Sequence, residues 1–220
     1  MNSRPSSVAL VSGGLDSLVS LARATTERDV RLVLFLDYGQ RSRESERVSA
    51  MSAADFYGIP FADVDIRWLE SLSPAGMRGG GTGAGALREL DEVWVPNRNG
   101  VFINIAASYA EARGFDTIVT GFNREEAAEF PDNSGEYVTR VNAALALSTR
   151  TGVRVESFTV DLDKREIIRL GMRLKAPLSI VWSCYRGGER MCGACASCLR
   201  LRAALDSLSS GERPVIEFAA

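Results

Sequence analysis

The sequence predicts an α/β fold in which helices cover both faces of a parallel sheet. Short apolar runs recur at 8–11, 32–36 and 117–120, and a more alternating run follows at 153–160. Strands without polar alternation are typical of a sheet that is buried on both faces. Segments of helical period lie between the runs, and this strand–helix–strand order favours parallel strands with helices on both sides.

Three helices can be placed from residue patterns. The first is predicted by apolar residues that share one helical face. It is expected to end at Gly114, because glycine is typical of the position after a helix. Two more are expected near 136–150 and 164–174, where a capping residue is followed three positions later by Glu. The capping pairs are Asn133 with Glu136 and Asp163 with Glu166, and the apolar face of the first helix comprises Phe102, Ile105, Ala106, Tyr109 and Ala110.

Length and composition predict one main domain with a small appendage. A chain of 220 residues with 45% hydrophobic content can bury a full core. We expect the main domain to span 1–180 and a cysteine-bearing segment, 181–220, to pack on it. The chain has no signal-type apolar stretch and no run of about 18 apolar residues that could span a bilayer. We therefore expect a cytoplasmic protein with no membrane partner.

Charge and residue usage exclude several function classes. The 26 basic residues are balanced by 28 acidic ones, so the basic excess typical of a nucleic-acid surface is absent and a large tRNA substrate is disfavoured. The chain contains no histidine. That excludes Ser-His-Asp hydrolysis and hydrolysis at histidine-bound zinc, but leaves adenylation chemistry open.

The segment 12–17, Ser-Gly-Gly-Leu-Asp-Ser, joins the first strand to a helix start. Gly13 and Gly14 let the backbone approach a ligand, and the free N–H groups of a helix start bind anions. Ser12 and Ser17 add hydroxyl donors, and Asp16 is a candidate ligand for Mg²⁺. The loop has neither the Walker pattern nor the dinucleotide fingerprint. The pattern predicts a phosphate-binding loop; an ordinary glycine-rich turn is the alternative.

A second glycine-rich segment, 79–85, does not follow a strong apolar strand. We expect a surface loop or a lid over the site there, and not another phosphate loop.

All four cysteines lie between positions 184 and 198. Cys192, Cys195 and Cys198 are separated by two residues each, and Cys184 lies upstream. Without a secretion signal such clustering favours metal over disulfides, and four thiolates suit a structural tetrahedral zinc site. Two alternatives are a cluster of buried cysteines without metal and a redox or sulfur-transfer dithiol.

The phosphate loop resembles the SGGxDS loop of the ATP pyrophosphatases, which split ATP between its α and β phosphates. Together with the cysteine tail it resembles the 7-cyano-7-deazaguanine synthase (QueC) family over nearly the whole chain. The other family-like blocks are DYGQR at 37–41, VPNRN at 95–99, GFN at 121–123, PD at 131–132, DKREI at 163–167, WSCY at 182–185 and CGACASC at 192–198.

The resemblance implies a Rossmann-like fold of the adenine nucleotide α-hydrolase type, with a small zinc-binding helical tail. It implies an ATP-dependent ligase that adenylates 7-carboxy-7-deazaguanine, reacts it with ammonia to an amide, and then forms the nitrile precursor of queuosine. ATP, Mg²⁺ and Zn²⁺ are the implied cofactors, and a homodimer is the implied assembly. The zinc ligands would be Cys184, Cys192, Cys195 and Cys198.

The resemblance also implies roles for individual residues. Ser12, Asp16 and Lys164 would be catalytic, with Lys164 neutralising phosphate charge unless it is a solvated surface lysine. ATP would bind at Leu10, Val11, Ser12, Gly13, Gly14, Leu15, Asp16, Ser17 and Gly121. Substrate would bind at Tyr38, Arg98, Asn99, Asn123 and Asp132, and for Tyr38 a buried aromatic side chain is the alternative to stacking with the substrate. We expect Arg98 and Asn99 to lie just before a helix. The alternative to ligand binding is a structural turn in which Asn99 caps that helix. Asp132 would accept N–H groups of the guanine-like edge or cap a helix.

The chain departs from the family pattern at two places. Family members commonly carry a Ser-Gly-Tyr-Pro-Asp-Cys-Arg-like run, whereas Glu129 and Phe130 precede the Pro-Asp pair here and Asn133 follows it. Ser42 replaces the usual histidine after the Tyr-Gly-Gln-Arg block. Because of these changes, an alternative function remains open, in which a relative of the family joins the activated deazapurine to another amine, such as a protein N-terminus. A tRNA sulfur-transfer enzyme and a non-catalytic nucleotide-binding module are the alternatives from other classes.

Overall fold

The computed structural model describes residues 4–72 and 94–219. Its five strands form one parallel sheet in the order β3-β2-β1-β4-β5. The predicted parallel sheet is therefore confirmed. The strands are β1 Ser6–Leu10, β2 Asp29–Asp37, β3 Phe61–Asp65, β4 Thr117–Thr120 and β5 Arg154–Ser157.

Two strands differ from the sequence-based expectation. The run at 153–160 gives only the four-residue β5, Arg154–Ser157. The edge strand β3, Phe61–Asp65, was not predicted, because its sequence Phe-Ala-Asp-Val-Asp has no continuous apolar run and none of its residues is fully buried. The glycine-rich segment 79–85 lies outside the described residues.

Seven α-helices connect and follow the strands in the described part of the chain. One predicted helix is followed by Gly114 as its C-cap, as expected. The helices predicted near 136–150 and 164–174 are also present, and their observed ends lie within two residues of the predicted ones. The helices are α1 Leu15–Glu27, α2 Arg43–Tyr57, α3 Arg98–Arg113, α4 Arg124–Glu129, α5 Gly135–Ser148, α6 Lys164–Arg173 and α7 Ala196–Asp206. None of these helices is long and apolar enough to cross a membrane.

The strands direct alternate side chains into two hydrophobic cores, one on each face of the sheet. On β2, Val33 and Phe35 belong to the core that contains residues of α1, α2, α6 and α7. Leu34 and Leu36 belong to the other core, with residues of α3 and α5. The C-terminal segment joins the first of these cores, because Cys184, Cys195 and Cys198 are buried there among residues of α1 and α6.

The strand order creates a crevice between β1 and β4. The chain winds from β1 through β2 to β3 on one side, then returns to place β4 on the other side of β1. In open α/β sheets, ligands bind outside the carboxyl ends of strands at such a reversal. The loops after β1 and β4 therefore border the expected ligand site.

The predicted capping box at the start of α6 is confirmed. Glu166 N donates to Asp163 Oδ1 at 2.7 Å, and Asp163 N donates to Glu166 Oε2 at 2.9 Å. The predicted box at Asn133 is wrong by one residue. Ser134 caps α5, where its hydroxyl accepts from Tyr137 N at 3.1 Å.

Replacing Asp163 by Ala is expected to destabilise the protein by about 1 kcal/mol, because α6 loses its side-chain cap. A chain of this size should then show a melting temperature about 2–4 °C lower in thermal denaturation. Asp161→Ala is the matched control, since it removes the same side chain at an exposed position two residues earlier. An equal loss in both variants would contradict a specific capping role.

Candidate active site and cysteine cluster

A cleft of about 750 Å³ opens at the carboxyl ends of β1 and β4. It brings together the phosphate-type loop, the start of α3, the segment after β4, the start of α6 and the cysteine segment. The residues proposed from the sequence that line it are Leu10, Val11, Ser12, Gly14, Leu15, Asp16, Ser17, Tyr38, Arg98, Asn99, Gly121, Asp132 and Lys164.

The loop after β1 is held in shape by its own serines and by two neighbouring segments. Gly14 N donates to Ser12 Oγ at 3.3 Å, and Ser17 Oγ donates to Gly14 O at 3.0 Å. Gly13 has a φ of +81°, and a Cβ there would lie 2.6 Å from Ser49 Cβ. Its carbonyl accepts from Trp182 N at 2.9 Å. The loop thus presents the N-terminus of the 13-residue helix α1 to the cleft, which favours an anionic ligand.

The loop after β4 packs directly against the start of α1. A Cβ on Gly121 would lie 2.5 Å from Ser17 N and 2.6 Å from Ser17 Cα, so only glycine fits without a backbone shift. This close approach fixes the width of the crevice between β1 and β4.

Replacing Gly121 by Ala is expected to cost about 1–3 kcal/mol, because two backbones must separate. We also expect weaker ATP binding, measured by isothermal titration calorimetry, since the displaced atoms belong to the anion-binding helix start. Gly211→Ala is the matched control, because a Cβ at that position meets no atom within 4 Å. Unchanged ATP affinity in Gly121→Ala would show that the loop does not shape the ligand site.

Lys164 lies between two acidic side chains inside the cleft. Its Nζ donates to Asp16 Oδ2 and, at 3.0 Å, to Glu126 Oε1. The Lys164 and Asp16 side chains are only 11% and 12% exposed, so the alternative of a solvated surface lysine is wrong. Residues of α1 and α4, the helices that follow β1 and β4, thus meet the first residue of α6.

Burial and charge oppose one another in this cluster. Burial raises the pKa of Asp16 to about 6, although Lys164 acts in the other direction. Burial also disfavours charged Glu126, but Lys164, Arg200 and Asn123 outweigh it and hold the pKa of Glu126 below its usual value. Both carboxylates outweigh the burial of Lys164 and raise the pKa of its ammonium above the ordinary value. Lys164 is therefore a fixed positive charge at neutral pH.

Asp16 has an oxygen that fits a bound cation. Oδ1 is buried and has no hydrogen-bond partner among the described residues. A carboxylate oxygen is a ligand that Mg²⁺ prefers, and Mg²⁺ usually binds through one or two carboxylates together with substrate phosphates. Asp16 thus fits the magnesium role that we expected for it.

Arg98 places a guanidinium in the cleft. Nη1 donates to Tyr38 Oη at 3.2 Å, and the guanidinium carbon lies 5.4 Å from the centre of the Tyr38 ring. None of the ion pairs among the described residues includes Arg98. A guanidinium in this setting suits a carboxylate or phosphate of a ligand.

Three predicted positions differ from expectation. Arg98 and Asn99 are the first two residues of α3 and do not precede it; Asn97 occupies the N-cap. Asn99 does not cap the helix, because its Nδ2 donates to Asp132 O at 3.3 Å. Asn123 does not line the cleft. It is fully buried, and its Oδ1 caps α4 by accepting from Glu126 N at 2.9 Å.

Asp132 lines the cleft with a partly buried carboxyl. Burial raises its pKa, against the attraction of Arg98. Its Oδ1 accepts from Asn133 Nδ2 at 3.2 Å, and its main-chain carbonyl is held by Asn99. Asp132 therefore has a fixed position near the Arg98 guanidinium.

The four cysteines form one cluster. Their sulfur atoms all lie within 4.8 Å of one another; Cys184, Cys195 and Cys198 are buried and Cys192 is partly exposed. Main-chain N–H groups point at two of the sulfurs: Arg186 and Cys192 at Cys184 Sγ, Ala194 and Cys195 at Cys192 Sγ, all at 3.3–3.4 Å. N–H donors favour thiolates, and four convergent sulfurs fit a tetrahedral metal ion such as zinc.

The cysteine segment also forms a wall of the cleft, which the sequence did not indicate. Ser183, Tyr185, Ser197 and Arg200 line it. Arg200, on α7, donates to Glu129 Oε2 at 2.9 Å and to Tyr185 Oη at 3.2 Å. The metal-type cluster and the ligand cleft thus share one helix.

The short helix α4 connects this wall to Lys164. None of its six residues is fully buried, and ionic contacts hold it. Glu125 accepts from Lys164 N at 3.0 Å, while Arg124 pairs with Glu166 at 3.0 Å. Glu126 and Arg200 line the cleft but were not predicted from the sequence. For Glu126 the available signal was Asn123, because asparagine is a favoured residue just before a helix.

A glycine loop of the Ser-Gly-Gly-Leu-Asp-Ser type at the switch point of a parallel sheet defines an α/β protein of the PP-loop class. The chain also matches the family described as "Queuosine biosynthesis protein QueC" over residues 6–209. It belongs to this family.

Relatives named 7-cyano-7-deazaguanine synthase match along nearly their whole length. The protein from Pelotomaculum thermopropionicum is 47% identical over 211 residues, which cover 90% of this chain and 96% of the relative. The one from Carboxydothermus hydrogenoformans is 45% identical, with 90% and 96% covered. The one from Methanosarcina mazei is 37% identical, with 96% and 97% covered. The chain is thus a member of an enzyme family of queuosine biosynthesis.

Proposed function

We propose that this chain is an ATP-dependent carbon–nitrogen ligase that converts 7-carboxy-7-deazaguanine to 7-cyano-7-deazaguanine. One observation carries the proposal: Lys164 and Asp16 meet at the anion-binding start of α1, in the same cleft as the Arg98 guanidinium, which forms no ion pair with the described residues. The family membership and the printed names of the relatives support the choice of substrate.

In the first stage the substrate carboxylate attacks the α phosphorus of ATP, and pyrophosphate leaves. Ammonia then attacks the acyl carbon, AMP leaves with the former carboxylate oxygen, and one proton is released to give the amide. The second stage repeats the activation. The amide oxygen attacks another ATP with loss of a proton and pyrophosphate, and departure of AMP with loss of the second N–H proton leaves the nitrile.

The roles of the residues follow from charge and position. The main chain at Leu10, Val11 and Leu15, the glycines Gly13, Gly14 and Gly121, and the hydroxyls of Ser12 and Ser17 hold the nucleotide. Lys164 neutralises the negative charge that develops on the phosphates. Such electrostatic stabilisation of the transition state, together with positioning, is the main source of catalysis in phosphoryl-type transfer. Asp16 holds Mg²⁺, which supplies charge neutralisation when it is bound with ATP. No histidine base is needed for these steps.

The substrate side of the cleft carries the other charges. Arg98 binds the carboxylate, and Asn99 fixes the main chain of Asp132, whose carboxylate accepts N–H groups of the guanine-like edge. Tyr38 orients Arg98 through its hydroxyl. The buried position of Asn123 supports a structural part for this residue in α4. Cys184, Cys192, Cys195 and Cys198 hold a structural Zn²⁺, with no position left for substrate.

The experiment that tests the proposal compares products by mass spectrometry after incubation with ATP and 7-carboxy-7-deazaguanine, with and without ammonium. We expect AMP and the nitrile when ammonium is present. AMP without the nitrile would favour a relative that joins the activated carboxylate to another amine, such as a protein N-terminus. Absence of AMP under both conditions would refute adenylation of this substrate.

A tRNA sulfur-transfer enzyme is the alternative from another class, and the cysteine cluster is the observation that bears on it. Sulfur transfer requires a reactive thiol, whereas the proposed ligase holds all four in a metal site. Metal quantification together with thiol titration distinguishes them. We also propose a cytoplasmic homodimer, which analytical ultracentrifugation and cell fractionation would test.

A further inference from the structure

Two aromatic rings in the cleft have no part in either hydrophobic core. Trp94, before α3, and Phe130, at the end of α4, stack with ring centres 5.5 Å apart and planes inclined by 10°. Both line the cleft, and Trp94 is 37% exposed. Neither belongs to the two clusters that pack against the sheet. We call this pair the aromatic ledge.

Ion pairs and a main-chain hydrogen bond hold the Phe130 part of the aromatic ledge in place at the cleft wall. Phe130 follows α4 directly, and α4 is held by the pairs of Glu126 with Lys164 and Glu129 with Arg200. Phe130 N donates to Glu126 O at 2.7 Å. An aromatic face that is open to a ligand cleft while its backbone is held in this way suits stacking with a planar ring.

A carboxylate lies two residues from the ledge. Asp132 lines the same cleft, and its carbonyl is held by Asn99. A guanine-type edge presents two adjacent N–H donors, the ring N–H and the exocyclic amine, to such a carboxylate. Adenine presents an acceptor beside its amine and cannot make this paired contact. The chemistry next to the ledge therefore matches a guanine-like base and not the base of ATP.

We propose that the aromatic ledge of Trp94 and Phe130 is the stacking site for the bicyclic base of the deazapurine, with Asp132 at its hydrogen-bonding edge. The inference rests on the proposed function, since it concerns the second substrate of the same cleft. It assigns specificity for the base to a pair of residues contributed by two distant parts of the chain.

Steady-state kinetics of Phe130→Leu test the ledge. Leucine keeps most of the volume and removes the aromatic face. We expect the KM for 7-carboxy-7-deazaguanine to rise about 5- to 150-fold, the usual range for loss of one base-stacking contact, with the KM for ATP unchanged. Phe130→Tyr should restore the wild-type value. Trp68→Leu is the matched control, because Trp68 is 58% exposed and does not line the cleft.

Fluorescence gives a second measurement that does not depend on turnover. The chain has three tryptophans, so Trp68→Phe with Trp182→Phe leaves Trp94 as the single reporter. We expect 7-carboxy-7-deazaguanine to change its emission and ATP alone to leave it unchanged. Emission that responds to ATP but not to the deazapurine would assign the ledge to adenine and overturn the proposal.

The outcomes separate the two proposals. A wild-type protein that forms the nitrile while Phe130→Leu keeps its KM for the deazapurine overturns the ledge and leaves the ligase function intact. A wild-type protein that forms no AMP with the deazapurine overturns the function. In that case absence of any effect of the deazapurine on Trp94 emission overturns the ledge as well.

Discussion

Replacing Lys164 by Ala is expected to lower the rate of AMP formation by about 10²- to 10³-fold, the usual loss when one preorganised charge-stabilising group is removed. The ammonium lies between Asp16 and Glu126, and the Lys164 side chain is only 11% exposed. Without it, the positive charge between these two carboxylates is lost. Single-turnover measurement of AMP release with saturating ATP and deazapurine checks this.

Lys175→Asn is the matched control for the loss of a lysine. Lys164 and Lys175 are the two lysines of the chain, and Lys175 is exposed with a φ of +54°, which asparagine accepts readily. We expect its rate to equal that of the wild type. A Lys164→Ala protein that is as active as Lys175→Asn would refute a catalytic role for Lys164.

The effect of Lys164 on stability has a defined pH range. Its folded-state pKa lies above the ordinary value, so its ion pairs stabilise the fold fully below that ordinary value, down to the pH at which Asp16 becomes protonated. That contribution is lost only as pH rises through the raised pKa. The stability difference between the wild type and Lys164→Ala, measured by urea denaturation, should therefore persist from about pH 7 to 10 and shrink at more basic pH.

Replacing Cys198 by Ser is expected to release the metal and destabilise the protein by at least about 3 kcal/mol, because metal binding contributes directly to folding. For a chain of this length the melting temperature should fall by about 6–12 °C. Cys198 is buried in the core shared with α1 and α6, so the loss is not confined to the tail. Thermal denaturation together with metal quantification measures both effects.

Ala203→Ser is the matched control, because it introduces the same residue at an exposed position of the same helix. It should retain the metal and melt within about 3 °C of the wild type, since serine is a slightly weaker helix former than alanine. Undiminished metal content in Cys198→Ser would show that the four sulfurs do not form one site.

Local sequence patterns predicted the features that depend on neighbours in the chain. The glycine loop at 12–17, the capping box at Asp163 and the cysteine spacing all follow from residues a few positions apart. The paired strands β1, β2 and β4 were predicted because their apolar runs are continuous. The short edge strand β3 has alternating acidic residues and gave no such signal.

Features that depend on tertiary packing could not be predicted in this way. No sequence spacing relates Arg200 to Glu129, which are 71 residues apart, or Trp94 to Phe130. The same limit explains why the cysteine segment was expected to pack on the domain but not to line the cleft. Arg98 and Asn99 were placed before α3 because the helix begins without a side-chain cap at Asn97.

Helix α7 carries one residue of the cysteine cluster and one residue of the cleft wall, so we expect metal binding and ligand binding to be thermodynamically linked. Cys198 and Arg200 lie two residues apart on one short helix, and the first belongs to the sulfur cluster while the second pairs with Glu129 at the cleft wall. If the metal improves the binding free energy of a cleft ligand, the ligand must improve the binding free energy of the metal by the same amount. A bound ligand then raises the equilibrium affinity for the metal by the same factor, so each site stabilises the other.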